Sequence, residues 1–338
     1  MKAVGFRKSL PIADAGALID VEIDRPAPTG RDLLVRVEAV SVNPVDTKVR
    51  RNALPAEGDL RILGFDAAGI VEAVGPEVTL FRPGDAVFYA GSITRPGTYA
   101  EFHIVDERIV GRKPKTLGWP EAAALPLTAI TAWETLFDRL DVKGRAVPGA
   151  AHAILIIGGA GGVGSIAIQL ARKLTDLTVI VTASRPETKA WATDLGAHHV
   201  VDHSKPLATE VEALGVGAPA FVFSTTNTEQ HLAEIVELIA PQGRFALIDD
   251  PASLDINPFK RKSVSAHWEF MFTRSMFGTA DIAEQGVLLN EVSRLVDDGT
   301  IRTTLAENFG PINATNLKRA HALIESGKAK GKIALEGF

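Results

Sequence analysis

Residues 158–164 read GGAGGVG and follow directly on the aliphatic run Ala153–Ile157. Gly159, Gly161 and Gly164 satisfy the spacing G-x-G-x-x-G, and each glycine has its own physical reason. The first allows a tight turn, the second lets the backbone approach a pyrophosphate closely, and the third lets a helix pack tightly on the strand. Ala160, Gly162 and Val163 complete the loop. The spacing alone is weak, because glycine-rich turns are common. Its context is specific: Val163, Ile166, Ala167, Leu170 and Leu174 form one apolar helical face, so strand, loop and amphipathic helix follow in order. The N–H groups at the start of that helix are then available to phosphate.

The tip of the next strand selects the dinucleotide. NAD binding uses a carboxylate about 20 residues after the loop, to hold the ribose 2′-hydroxyl. Here Thr178–Thr182 runs into Ala183, Ser184, Arg185 and Pro186, with Lys189 just beyond and no acid before Glu187. Ser184, Arg185 and Lys189 suit a 2′-phosphate, and each hydrogen bond to such a charged group is worth about 1.5–3 kcal/mol. NADPH is the expected cofactor. The alternative is that Arg185 and Lys189 are solvated charges at a helix start. Thr225 and Thr226 follow the strand Ala220–Phe223, at the strand end where cofactors lie in doubly wound sheets.

The elements that must position these residues follow from the wider pattern. At 338 residues the chain exceeds one average domain, and 46% apolar with 23% charged residues describes a globular protein with a sizeable core. A net charge of −5 without blocks of like charge excludes nucleic acid and anionic membrane as expected partners. The absence of cysteine removes disulfides, thiol nucleophiles and Cys-ligated zinc. The N-terminus lacks a signal-peptide pattern and no run is long enough to span a membrane, so a cytoplasmic protein is expected.

Up to about residue 115 the chain reads as short strands. Leu33–Val42 alternates Val35, Val37 and Ala39 against Arg36, Glu38 and Val40, which predicts one buried face. Gly69–Val74, Ala86–Tyr89 and Tyr99–Val105 follow, separated by turn signals at Asn43-Pro44, Pro83-Gly84-Asp85 and Pro96-Gly97. A small barrel or sandwich is expected. Pro120 opens an alanine-rich helix that should break near Pro126. Beyond it, strands at Ala153–Ile157, Thr178–Thr182, His199–Val201, Ala220–Phe223 and Arg244–Ile248 alternate with helices, the signature of an α/β doubly wound parallel sheet. The apolar segment SVSAHWEFMF, helices near Ile282–Asp297 and Thr315–Ser326, and a last strand in GKIALEGF close the chain.

Several segments together resemble the medium-chain dehydrogenase/reductase superfamily, and within it the zinc-free quinone-oxidoreductase-like branch. They are Ser41–Asn52 (SVNPVDTKVRRN), Leu63–Gly75 (LGFDAAGIVEAVG), Arg82–Val87, Gly97–Phe102, Leu125–Leu136 (LPLTAITAWETL) and the glycine loop with its helix. Trp268–Phe277 and Gly310–Leu317 are similar to a subgroup often labelled zinc-type alcohol dehydrogenase-like. The resemblance implies a GroES-like β-rich catalytic domain over residues 1–127, completed by 270–338, and a Rossmann NADP-binding domain over 128–269. It also implies a homodimer or homotetramer.

The departures from the zinc enzymes are chemical. The resemblance puts Asn43 at the position of their first zinc ligand, a cysteine, and Phe65 at that of their histidine. Val45 replaces the hydroxyl residue that relays the alcohol proton. Neither a carboxamide nor a phenyl ring binds Zn²⁺ as thiolate and imidazole do, so no metal is expected. Hydride delivery from NADPH to a quinone or an α,β-unsaturated carbonyl fits what is left, because charge on those oxygens is delocalised and hydrogen bonds can meet it. The resemblance places Asn43 beside the reacting group as a donor, Asp46 behind it, and Lys48 or Arg50 as a proton source or a solvated charge. Asn43-Pro44 reads equally as a plain turn. Thr128 resembles a residue that meets the cofactor; its alternative is a helix threonine bonded to its own backbone.

Two sets of residues stay open. The large apolar groups of SVSAHWEFMF with Met276 and Phe277, and also Tyr89 and Trp119, read either as substrate wall and dimer strand or as core. His198, His199 and His203 with Asp202 read as a solvated loop, since sequence neighbours on a strand point to opposite faces. The rivals to a reductase are an NADPH-binding protein of structural or regulatory role and an alcohol or aldehyde dehydrogenase.

Overall fold

The computed structural model describes every residue except Leu54 and Glu57. It divides into two units, Met1–Ile130 with Phe272–Phe338, and Thr131–Met271.

In the first unit the strands up to residue 112 are β1 (Lys2–Phe6), β2 (Ile19–Glu22), β3 (Asp32–Val42), β4 (Arg61–Ile62), β5 (Ala67–Val74), β6 (Ala86–Tyr89), β7 (Phe102–Asp106) and β8 (Val110–Arg112). The second unit contributes β9 (Ala151–Ile157), β10 (Thr178–Thr182), β11 (His199–Val201), β12 (Pro219–Ser224), β13 (Arg244–Leu247) and β14 (Ser265–Trp268). The chain then returns to the first unit for β15 (Leu305–Asn308) and β16 (Lys332–Glu336).

β3 organises the first unit. It pairs antiparallel with β5, β7 and β16, and so sits inside a seven-stranded sheet of order β15-β16-β3-β5-β6-β8, with β7 on β3. β2-β1-β4 form a separate small sheet. The alternation in β3 predicts a solvent-facing Val40, but Ala39 to Val42 are all buried. The helix Trp119–Ala123 packs on this strand, and Leu317 and Ala320 of the helix Ala314–Glu325 join its core cluster, so the second face is covered too. The pairing of β16 with β3 sets Ile333 opposite Val42, and this decides the site below.

Asn43-Pro44 is not a turn between strands. Asn43 caps the helix Pro44–Asn52 and Pro44 is its first residue, a position where the missing proline N–H costs nothing. Arg50, on the same helix, is fully buried and paired with Glu325, so it is neither solvated nor aimed at a ligand. The helical stretch after Gly118 does break ahead of Pro126: one helix covers Trp119–Ala123 and the next starts at Pro126.

The second unit is a Rossmann-type parallel sheet of order β11-β10-β9-β12-β13-β14. Its centre is apolar: Leu155, Ile157, Ile180, Val222, Phe245 and Leu247 are buried in one cluster. Each such side chain contributes about 1.5–3 kcal/mol on leaving water. The helix Gly162–Leu174 is buried from Gly164 to Ala171 on all sides, not on one stripe, while Val163 and Leu174 are only half-buried. Trp191 of the helix Pro186–Asp194 covers its polar side and donates from Nε1 to Ser165 Oγ at 2.8 Å. Among the described residues no helix is long and apolar enough to cross a membrane.

Candidate cofactor and substrate sites

Strand order reverses between β9 and β12, and the glycine loop leaves β9 at that point, where a crevice opens beyond the strand ends of such sheets. The residue that makes the tight turn is Gly158, with φ +84°. A Cβ there would also meet Thr225 Oγ1 at 2.4 Å. The sequence spacing gave this role to Gly159, whose own constraint is Val181, 2.8 Å from a would-be Cβ. Gly164 packs helix against turn: a Cβ on it would lie 2.3 Å from the Gly158 carbonyl oxygen. Gly161 is different. It caps the helix at φ −71°, and a Cβ would meet only the Gly158 oxygen at 3.4 Å. Neither backbone conformation nor the chain's own packing requires glycine at this position. An approaching phosphate does, so the loop fits a pyrophosphate. Ala160 is buried, and Gly162 and Val163 are half-buried at the helix start.

Around this loop the hydroxyls hold the backbone. Thr182 Oγ1 receives the Gly158 N–H at 3.0 Å, and Thr225 Oγ1 donates to the Ile157 carbonyl at 2.8 Å. Thr226 is exposed beside it. At the tip of β10, Ser184, Arg185 and Lys189 are half-buried. Arg185 pairs with Glu187 at 2.9 Å, and Lys189 pairs with Asp202 at 3.0 Å. Both cations are therefore engaged, each in a partly exposed ion pair worth about 0–1 kcal/mol, which a phosphate can displace.

The first unit holds a buried polar cluster built on Asp66, which lies just before β5. Its Oδ2 accepts from Ser41 Oγ at 2.7 Å, Asn43 Nδ2 at 2.7 Å and Lys332 Nζ at 2.9 Å, and its Oδ1 accepts from the Leu127 N–H at 2.8 Å. Lys332 also donates to Asn43 Oδ1 and, at 3.3 Å, to the Val42 carbonyl. Asp66 is 0% and Lys332 3% exposed in this pair. Asn43 is fully buried, with its amide nitrogen on Asp66 and its amide oxygen on Lys332. The sequence pointed to Asn43 but missed both partners. Asp66 sits in the LGFDAAG segment and Lys332 in GKIAL, and only the β3–β16 pairing joins residues 289 positions apart.

Asp46 is buried and accepts the Asn43 N–H at 2.6 Å. Burial pushes its carboxyl up to about 7, opposed by that hydrogen bond and by the Lys332 charge. Its folded value lies above the unfolded one, so the native protein holds the proton more tightly and loses stability as pH rises from the ordinary carboxylate range to about 7. Asp46→Asn is expected to gain on the wild type by on the order of 3 kcal/mol between about pH 4 and about pH 7.5, read from urea unfolding at both values. Lys48, half-buried two residues on, lies on the same helix. Thr128 is buried and its hydroxyl donates to the Leu125 carbonyl at 3.1 Å, the local backbone bond that was its alternative.

The open apolar set divides. Tyr89, Met271 and Phe272 are core, Trp119 is half-buried, and Trp268, Phe270, Met276 and Phe277 are exposed. In the histidine-rich segment His198 Nδ1 accepts the Val179 N–H at 2.9 Å, and His203 reaches Thr182 at 3.1 Å, so His203 belongs to the strand tip.

Residues 29–115 match the alcohol dehydrogenase GroES-like domain and residues 195–335 match the zinc-binding dehydrogenase family. A zinc-type alcohol dehydrogenase-like protein of Staphylococcus aureus is 39% identical over 99% of both chains. The chain belongs to the medium-chain dehydrogenase/reductase superfamily. Within it, the chain falls in the zinc-type alcohol dehydrogenase-like and quinone oxidoreductase-like branch, and a quinone oxidoreductase of Lama guanicoe is 28% identical over 92% of this chain and 90% of its own. The crystal structure of a Rhizobium etli protein assigned to the zinc-dependent alcohol dehydrogenases is 71% identical, with a TM-score of 0.98 over 100% of this chain and 98% of that one. A mycobacterial relative solved in complex with NADPH is 26% identical, with a TM-score of 0.81 over 99% of this chain and 100% of its own. The protein is thus an oxidoreductase of this superfamily.

The family names raise zinc, and the donor set does not fit it. At the expected ligand positions, Asn43 is committed at both ends of its amide, and Phe65 packs edge-on against Phe272 at 5.2 Å. The chain has no cysteine. Among the described residues no three His, Asp or Glu side chains group as a metal would need.

Proposed function

We propose that this protein is an NADPH-dependent reductase of quinones or α,β-unsaturated carbonyls that works without a metal. The observation that carries the cofactor reading is Gly161, whose missing side chain is explained by an approaching phosphate and by nothing in the chain. Gly158 and Gly164 hold the turn against the helix, so the N–H groups at the helix start face the pyrophosphate. Ser184, Arg185 and Lys189 receive the 2′-phosphate, giving up the pairs with Glu187 and Asp202. The bound nicotinamide supplies the hydride, and the family relatives support acceptors of the quinone type. In the first unit the Asp66–Lys332 pair fixes the Asn43 amide and, through it, the start of the helix carrying Asp46 and Lys48.

One observation favours a second reading, an NADPH-binding protein with little turnover. The Asn43 amide is fully buried, with its nitrogen on Asp66 and its oxygen on Lys332, so it is not presented to a substrate carbonyl. Turnover separates the two. NADPH oxidation is measured, with NADH alongside, against a simple quinone, an enone and a saturated aldehyde. The reductase consumes NADPH with the first two and spares the aldehyde. Binding without consumption of NADPH by any acceptor supports the second reading, and reduction of the aldehyde alone supports an alcohol dehydrogenase.

Arg185→Ala is expected to weaken NADPH binding by about tenfold or more, the loss of one charge-assisted hydrogen bond, and to leave NADH binding nearly unchanged. Equal losses for the two cofactors would return Arg185 to the solvated surface.

We also propose a cytoplasmic homodimer or homotetramer. β14 is an outer strand of its sheet, with Trp268 56% and Phe270 46% exposed at its end. Exposed strand edges with large apolar groups favour pairing with a second copy. Light scattering in solution gives the mass that decides it.

A further inference from the structure

β11 runs parallel to β10 with Val201 opposite Thr182, so residues just beyond β11 lie at the glycine-loop end of the sheet. His203 is one of them. Its Nδ1 is hydrogen-bonded to Thr182 Oγ1 at 3.1 Å, and that same oxygen receives the Gly158 N–H at 3.0 Å. One hydroxyl therefore joins His203 to the phosphate loop. Arg185 and Lys189, both on the chain segment after β10, bear on the ring electrostatically. From the helix Thr228–Leu238, His231 stands with its ring centroid 6.3 Å away. Three carboxylates stand against these groups: Asp202, shared by Lys189 at 3.0 Å and Ser204 at 2.7 Å, Glu187, paired with Arg185 at 2.9 Å, and Glu234, which bears on His231. Four groups able to carry positive charge, Arg185, Lys189, His203 and His231, thus gather at one strand tip, and Asp202 is the acid that bears on the His203 ring itself. A bound dianion at this tip adds negative charge beside all four.

We propose that His203 completes the 2′-phosphate site with Arg185 and Lys189, and that it takes up a proton when a 2′-phosphorylated nicotinamide dinucleotide binds. The proposal rests on the NADPH reading above and adds a proton linkage to it. In the free protein burial lowers His203 below the ordinary histidine range, and His231, Lys189 and Arg185 press it the same way against Asp202. A phosphate dianion against the ring favours the imidazolium instead. The bound value then lies above the free one, so affinity for the phosphorylated cofactor grows as pH falls between them. Thr182 serves both states: its hydroxyl donates to Nδ1 of the neutral ring, or accepts from the N–H of the imidazolium, and keeps a lone pair for Gly158.

The test is calorimetric titration of the full chain with NADPH and with NADH, in two buffers of different ionisation enthalpy, from about pH 8 to about pH 6. The preference for NADPH over NADH is expected to rise about tenfold over that range, with proton uptake on binding NADPH and none on binding NADH. The 2′-phosphate itself has a pKa of about 6, and its protonation weakens binding as pH falls, so it cannot mimic this sign. His203→Gln and His203→Asn should flatten the rise, and the wild-type proton count stands without either variant. NADPH binding with no proton uptake, or with the same rise in a folded His203 variant, overturns the linkage and leaves the NADPH reading intact. NADPH binding no tighter than NADH at every pH overturns that reading and the linkage together.

Discussion

Lys332→Met is expected to lower the unfolding free energy by about 3–5 kcal/mol, the cost of leaving a buried carboxylate without its cation. The size follows from burial: Asp66 is 0% and Lys332 3% exposed, so water cannot replace the lost ammonium. Met is close to Lys in length and fills the same channel, which keeps a cavity from confusing the result. Asn43 Oδ1 and the Val42 carbonyl lose a donor in the same step. Urea unfolding of wild type, Lys332→Met, Asp66→Asn and the double variant gives the coupling directly. The double variant should recover part of the loss, because the uncompensated charge is gone. A loss below about 1 kcal/mol in Lys332→Met would be the value for an exposed pair, and would deny the buried cluster.

Gly164→Ala is expected to damage stability and cofactor binding together. Its Cβ would stand 2.3 Å from the Gly158 oxygen and 2.8 Å from the Gly159 Cα, both backbone atoms of the turn, so the turn itself must move. Overpacking of this kind costs about 1–3 kcal/mol of stability. The moved turn no longer presents the helix N-terminus to the pyrophosphate, and NADPH affinity should fall by at least about tenfold, equivalent to about 1.4 kcal/mol. Gly161→Ala is the contrasting variant. Its Cβ meets nothing nearer than 3.4 Å, so thermal unfolding should match the wild type while NADPH binding still falls. Unchanged NADPH binding in Gly161→Ala would mean that the space at Gly161 serves no phosphate.

The parallel sheet was legible because its cause is local. An aliphatic run, a glycine loop and an amphipathic helix follow one another within residues 153–174, and the later strands repeat the alternation. The break before Pro126 was legible for the same reason, since proline acts on its own backbone. Elements that depend on what packs against them are less legible in the sequence. Alternation in β3 reports only one face and so sends Val40 to solvent, while the helices that bury the second face lie elsewhere in the chain. Asn43-Pro44 suits a turn, a helix start and a polar site alike, so the pair by itself leaves the choice to the fold. Spacing puts the turn at Gly159, one residue late, because it cannot show that Gly158 carries the positive φ.

By itself, then, the sequence determined the glycine loop, the basic residues at the tip of β10 and the lack of zinc-ligand residue types at the expected positions, all of them matters of residue type and short spacing. Only the tertiary structure decided what those residues touch. It closed Asn43 between Asp66 and Lys332, through a pairing of strands from opposite ends of the chain. It brought His203 to Thr182 and the glycine loop, through the parallel register of β10 and β11. Hydrogen bonds and ion pairs act over a few ångströms of space, and the distance along the chain between their partners is set by how the sheets assemble.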